Sequence, residues 1–173
     1  MKNLISLIFA ILIVANLSAQ TTKAEFEKAF SPLVGHVWNV ETTFADGSAF
    51  TQQKIFEWGI ANSYVKTQTY GYLDEAREFW GMRSEGIRAY MPQEQLIMFL
   101  DYDYSGELVD GQVQIKGDSI IYSYLYGAQQ VVVYDTWVKK SDGVYDFTIA
   151  IDQGPGQPLN IVLKAEFVRQ EEE

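Results

Sequence analysis

Residues 119–151 read SIIYSYLYGAQQVVVYDTWVKKSDGVYDFTIAI, and their alternation decides the fold. Ile120, Tyr122, Tyr124 and Tyr126 share one parity. Val131, Val133, Asp135 and Trp137 do the same in the next run, and Tyr145, Phe147, Ile149 and Ile151 in the third. Side chains in a strand point alternately to opposite faces, so each set occupies one face of a strand. Ser141-Asp142-Gly143 is a turn signal that joins the second and third runs as a hairpin.

The same pattern extends in both directions. Towards the C-terminus, the Gly/Pro segment Gln153–Pro158 reads as a loop and Asn160–Val168 as the last strand. There Ile161, Leu163, Ala165 and Phe167 are expected on one face, Lys164 and Glu166 on the other. Towards the N-terminus, Asp110-Gly111 and Gly117-Asp118 bracket a strand over Gln112–Lys116. Leu96–Tyr102, Phe79–Met91 and Ser63–Tyr70 precede it, with a charged loop over Leu73–Glu78. Asp46-Gly47 is a hairpin turn between Val37–Phe44 and Phe50–Trp58. Ahead of these, Thr22 with Glu25 forms a capping-box signature, and Phe26 and Phe30 lie one helical turn apart, so a short helix ends before Pro32. Roughly nine or ten strands with short connections predict an all-β, antiparallel up-and-down meander that closes into a barrel, with a two-sheet sandwich as the alternative.

Lys2, the apolar run Leu4–Ala15 and Leu17-Ser18-Ala19 have the layout of a secretory signal, cleaved to leave Gln20 first. The run is short for a membrane span, and no later segment is apolar enough to be one. Residues 1–19 are therefore read as a signal peptide and 20–173 as a single domain, exported to the periplasm or secreted. Cleavage leaves 12 basic residues against 23 acidic ones and moves the formal charge from −10 to −11. Such a surface repels phosphate backbones, so nucleic acid is not an expected partner. The chain has no cysteine, which removes disulfides, thiolate metal sites, a thiol nucleophile and a lipoprotein anchor together.

Gly35-His36-Val37-Trp38 follows the short helix and opens the first strand. It resembles the Gly-x-Trp start of lipocalins and other calycins, with one extra residue between Gly and Trp. The order Asp46-Gly47, Gly117-Asp118, Phe167-Val168-Arg169 resembles exported bacterial calycin-like families of unknown function over most of residues 33–169. That resemblance implies a barrel that binds small apolar molecules, with Trp38 closing one end under the helix and Arg169 as its basic partner. It carries no catalytic residues over. Nitrobindins, haem-binding calycins, use a histidine near the chain end; here the single histidine is His36, in the first strand, which argues against haem of that kind.

The candidate ligand-binding residues are Trp38, Tyr64, Tyr70, Trp80, Arg88, Tyr122, Tyr124, Asp135 and Trp137. The aromatics offer flat apolar faces and polar tips to a cavity, although aromatics also fill ordinary β-cores. Arg83, Glu85, Arg88 and Asp135 are charges inside strand runs; turned inward, they would pair, hold a polar ligand or act as acid and base. Asp101-x-Asp103-x-Ser105-Gly106-Glu107 resembles the first half of a calcium loop, but Gln112 stands where the closing glutamate belongs, and a β-turn explains it better. No nucleophile elbow or phosphate-cradling motif is present, and no cofactor or metal is expected. The leading expectation is a barrel binding a small, largely apolar ligand. The alternatives are an interaction module with a filled core, and an enzyme using carboxylates or tyrosines, for which Asp135 would converge with Glu85.

Overall fold

The structure is a computed structural model and describes residues 21–171; the segment 1–19, expected to be a signal peptide, lies outside them. Helix α1 (Lys23–Phe30) starts at a complete capping box. The Glu25 amide donates to Thr22 Oγ1 at 3.2 Å, and the Thr22 amide donates to the Glu25 carboxylate at 2.8 Å. Two orphan donors of the first turn are thereby satisfied. One face of α1 buries Phe26 and Phe30 completely, and Leu33 follows them inward. Each such burial is worth about 1.5–3 kcal/mol before ordering costs are subtracted.

Ten strands follow: β1 (Val37–Thr43), β2 (Ala49–Trp58), β3 (Tyr64–Tyr72), β4 (Trp80–Met91), β5 (Leu96–Asp103), β6 (Leu108–Lys116), β7 (Ser119–Tyr126), β8 (Val131–Ser141), β9 (Val144–Ile151) and β10 (Asn160–Arg169). Each pairs antiparallel with its sequence neighbour, and β1 pairs with β10, so the sheet is a closed barrel and the sandwich alternative falls away. The seam is narrow, with Trp38 opposite Arg169 and Asn39 opposite Val168. Beyond it the Ala45 amide donates to the Val162 carbonyl at 3.0 Å.

The helix seals one end. Phe26 meets Trp58 edge-on at 5.8 Å, and Trp38 donates its indole N–H to the Leu33 carbonyl at 2.9 Å. Trp38 is fully buried there, packed edge-on against Tyr145 at 5.2 Å. The Arg169 guanidinium goes elsewhere than onto Trp38: it pairs with Asp142 at 2.9 Å.

Two expectations from the sequence need correction. Asp110-Gly111 is not a turn; β6 runs straight through it from Leu108. A Cβ at Gly111 would overlap the Ser123 carbonyl and crowd the Phe99 ring, so this glycine permits close approach inside a strand. Ile161 does not share the face of Leu163, Ala165 and Phe167. A register shift between Ile161 and Leu163 turns Val162 towards the interior and leaves Ile161 exposed.

Candidate functional site

Alternation assigns the interior-facing residues. From β2 these are Phe50, Gln52, Lys54 and Phe56, from β7 Ile120, Tyr122 and Tyr124, and from β8 Val133, Asp135 and Trp137. Near the helix end they build an apolar floor: Trp137 stacks on Phe167 at 4.4 Å and meets Phe56 edge-on at 5.7 Å. Above the floor lies a charged belt, and above that the barrel opens.

Arg88 of β4 organises the belt. Its guanidinium forks onto Asp101 of β5 through two bonds of 2.5 and 2.7 Å, and also donates to Thr67 Oγ1 at 2.5 Å. Nε approaches the Tyr122 hydroxyl at 3.4 Å, and the group lies over the Tyr122 and Phe99 rings at 5.2 and 5.5 Å. Asp101 stands opposite Gly86 in register, and a Cβ at Gly86 would overlap its carboxylate. The absence of a side chain there is what lets Asp101 reach Arg88. Burial works against the Arg88 charge, but Tyr122 and Asp101 outweigh it and hold the pKa above its ordinary value. Burial likewise pushes the Asp101 pKa up, and Arg88 more than compensates, holding it below the usual carboxylate range.

Lys54 and Asp135 are less completely satisfied. Asp135 accepts from the Tyr124 hydroxyl at 3.3 Å, and burial pushes its pKa up to about 6 despite the opposing pull of Lys54. Burial, helped by the like charge of Arg88, lowers the Lys54 pKa against the pull of Asp101 and Asp135. Among the described residues, Lys54 makes neither a hydrogen bond nor an ion pair through its ammonium group.

These groups line an inner chamber of about 240 Å³, together with Thr69, Arg83, Ser84 and Tyr104. It adjoins an outer vestibule of about 770 Å³, with Gln52, Arg83, Tyr124 and Tyr126 on the wall of both. The vestibule is largely apolar, walled by Phe44, Phe50, Val133, Ile149, Ile151 and Val162. At its rim Arg77 lies over the Tyr72 ring at 4.5 Å and donates to Thr51 Oγ1 at 2.7 Å.

Of the residues singled out from the sequence, Arg88, Tyr122, Tyr124, Asp135 and Trp137 stand on the chamber wall. The other four do not. Trp38 belongs to the sealed end. Tyr64 and Tyr70 sit on the outer parity of β3, whose buried set is Val65, Thr67, Thr69 and Gly71. The Tyr64 ring covers Gly59, and Trp80 lies on the outside, edge-on to Tyr72 at 5.1 Å. Arg83 turns in, whereas Glu85 turns out and accepts from Gln68 at 3.1 Å, so Glu85 and Asp135 do not converge.

Sequence reasoning missed Lys54 and the inward turn of Asp101. Both were detectable by parity: Lys54 alternates with Phe50, Gln52, Phe56 and Trp58, and Asp101 with Ile97 and Phe99. The half calcium loop does not converge, because Asp101 is committed to Arg88 while Asp103 caps its own turn, accepting from the Ser105 and Glu107 amides. His36 lies at the sealed end, edge-on to Trp38 at 6.3 Å.

The class defined by these features is a ten-stranded antiparallel meander barrel, plugged at one end by a helix and holding an interior chamber. No protein-family model matches the chain, and no curated protein does. Among solved structures, a redesigned β-barrel is similar at 18% identity and a TM-score of 0.43, over 83% of this chain and 96% of its own. The crystal structure of Rv2717c from M. tuberculosis is similar at 16% identity and a TM-score of 0.49, over 84% of this chain and 97% of its own.

Proposed function

We propose that this calycin-like barrel binds a small, largely apolar molecule with one polar end. The polar end enters the chamber beside Lys54, Tyr124 and Asp135, and the apolar body lies in the vestibule. The observation that carries this reading is the ammonium of Lys54, a donor with no partner among the described residues, beneath an apolar entrance. A charged group in such a place leaves hydrogen-bonding capacity open to a ligand, and ligand sites commonly join apolar walls to a few convergent polar groups. The size of the vestibule falls in the roughly 300–1,000 Å³ range of small-molecule sites. The same reading places the barrel outside the cytoplasm, supported by the layout of residues 1–19.

The test is titration with 1-anilinonaphthalene-8-sulfonate, an apolar fluorophore with an anionic end. Saturable binding to one site is expected, and Lys54→Met should weaken it about tenfold or more, the value of a charge-assisted hydrogen bond. Ile149→Trp, which narrows the vestibule, should weaken it as well. Non-saturable fluorescence, or binding indifferent to both changes while near-ultraviolet dichroism stays native, would sink the proposal. A second reading rests on the exposed Phe79, Tyr102, Tyr104, Leu108 and Tyr126. They would serve a protein partner if the barrel holds no ligand.

A further inference from the structure

We propose that Lys54 captures its ligand covalently, condensing with the aldehyde of a largely apolar molecule to form an imine inside the barrel. The inference rests on the ligand-binding reading above and deepens it by naming the chemistry of the polar end.

Three features of the chamber carry it. First, one of the two carboxylates that act on Lys54 is taken, since Asp101 spends both oxygens on Arg88. Second, the groups facing Lys54 come from four strands: Arg88 of β4, Asp101 of β5, Tyr122 and Tyr124 of β7, and Asp135 of β8. One of these is a second cation, and a nearby cation combined with desolvation is how a lysine amine becomes a nucleophile near neutral pH. The direction of the Lys54 pKa agrees, with burial and then Arg88 lowering it. Third, Asp135 lies in the same chamber with its carboxyl held partly protonated near neutral pH. It is thus a proton donor in the same chamber as the Lys54 amine. A carboxylate ligand would gain only an ion pair from this arrangement and would meet Asp135 as a repulsive neighbour.

The step balances without any oxidant. The neutral Lys54 amine attacks the carbonyl carbon, forming the C–N bond as the C=O π bond shifts onto oxygen. That oxygen takes a proton, and the nitrogen loses one, giving a carbinolamine. Asp135 then protonates the departing hydroxyl, and the nitrogen lone pair forms the C=N bond as the C–O bond breaks and water leaves. The iminium N–H proton returns to the Asp135 carboxylate, so amine plus aldehyde have become imine plus water. Tyr124, hydrogen-bonded to Asp135 at 3.3 Å, holds the acid in place. The vestibule supplies an apolar approach that keeps the product from bulk water.

The experiment is reductive trapping on the whole protein with decanal and sodium cyanoborohydride, followed by intact mass and peptide mapping. One adduct is expected, on Lys54, forming at least about tenfold faster than on the exposed Lys164, as befits an activated amine. Lys54→Arg should remove that adduct, and Asp135→Asn should slow it severalfold. Mapping the unaltered protein answers the question even if a variant folds poorly. In parallel, 1-decanol, which cannot form an imine, is used to displace 1-anilinonaphthalene-8-sulfonate. Displacement by decanol with no preferred Lys54 adduct would overturn covalent capture and leave the binding reading standing. Failure of both would overturn the two together.

Discussion

At the scale of residues, Lys54, Arg88, Asp101 and Asp135 share one chamber and fare differently. Arg88 and Asp101 neutralise each other through a bidentate bond, whereas Asp135 keeps a cost of burial. The sign of that cost gives a prediction. The carboxyl has an ordinary pKa of 3.8 and a folded value of about 6, so the folded protein holds its proton over a range where the unfolded chain has lost it. Folding is therefore unpenalised below the unfolded pKa and loses stability as pH rises from there through the folded one. The full displacement corresponds to roughly 3 kcal/mol. Asp135→Asn should be more stable than the parent at pH 8, with the advantage shrinking towards zero near pH 4, read as urea midpoints. An advantage that stays constant with pH would contradict the assignment. The inward face of Asp135 was legible from Val131, Val133 and Trp137. Its pKa was not, because that depends on neighbours from other strands.

At the scale of elements, glycines decide where strands approach. Asp110-Gly111 has the composition of a hairpin turn, yet β6 passes through it paired to β5 and β7. Composition cannot separate a glycine that bends the chain from one that admits a neighbour; the facing ring does that. Gly111→Ala should destabilise the barrel by about 1–3 kcal/mol, the usual range for overpacking, since the Ser123 carbonyl is backbone and cannot swing aside. Equilibrium urea unfolding measures it, and a neutral result would overturn the close approach of β6 and β7 at Gly111. The bulge at Ile161 teaches the same lesson, because a single inserted residue reverses which face each side chain takes.

At the scale of the whole molecule, closure and the helical plug seal one end of the barrel, and the chamber adjoins the apolar vestibule. Among the described residues, no helix is long and apolar enough to cross a membrane. With no cysteine in the chain, no disulfide supports the barrel, and its hydrophobic core runs continuously from Phe26 and Phe30 to Phe167. Export of such a domain needs no oxidising partner. When the full chain is expressed in its own host, intact mass of the extracytoplasmic protein should correspond to a chain beginning at Gln20. Recovery only in the cytoplasm with residues 1–19 attached would overturn the export proposal.

The sequence by itself determined the strand alternation, the capped helix, the hairpin at Asp46-Gly47 and the meander order, because each follows from local periodicity and turn chemistry. It also placed Arg88, Tyr122, Tyr124, Asp135 and Trp137 among the residues to watch. Only the tertiary structure decided that Tyr64, Tyr70 and Trp80 face outward, that Asp101 folds over Gly86 onto Arg88, and that Lys54 has no partner among the described residues. Those outcomes depend on inter-strand register and on the closing of β1 against β10, which bring together residues far apart in the chain. Periodicity within a strand assigns two faces; which face becomes the interior, and what meets across it, is settled by closure.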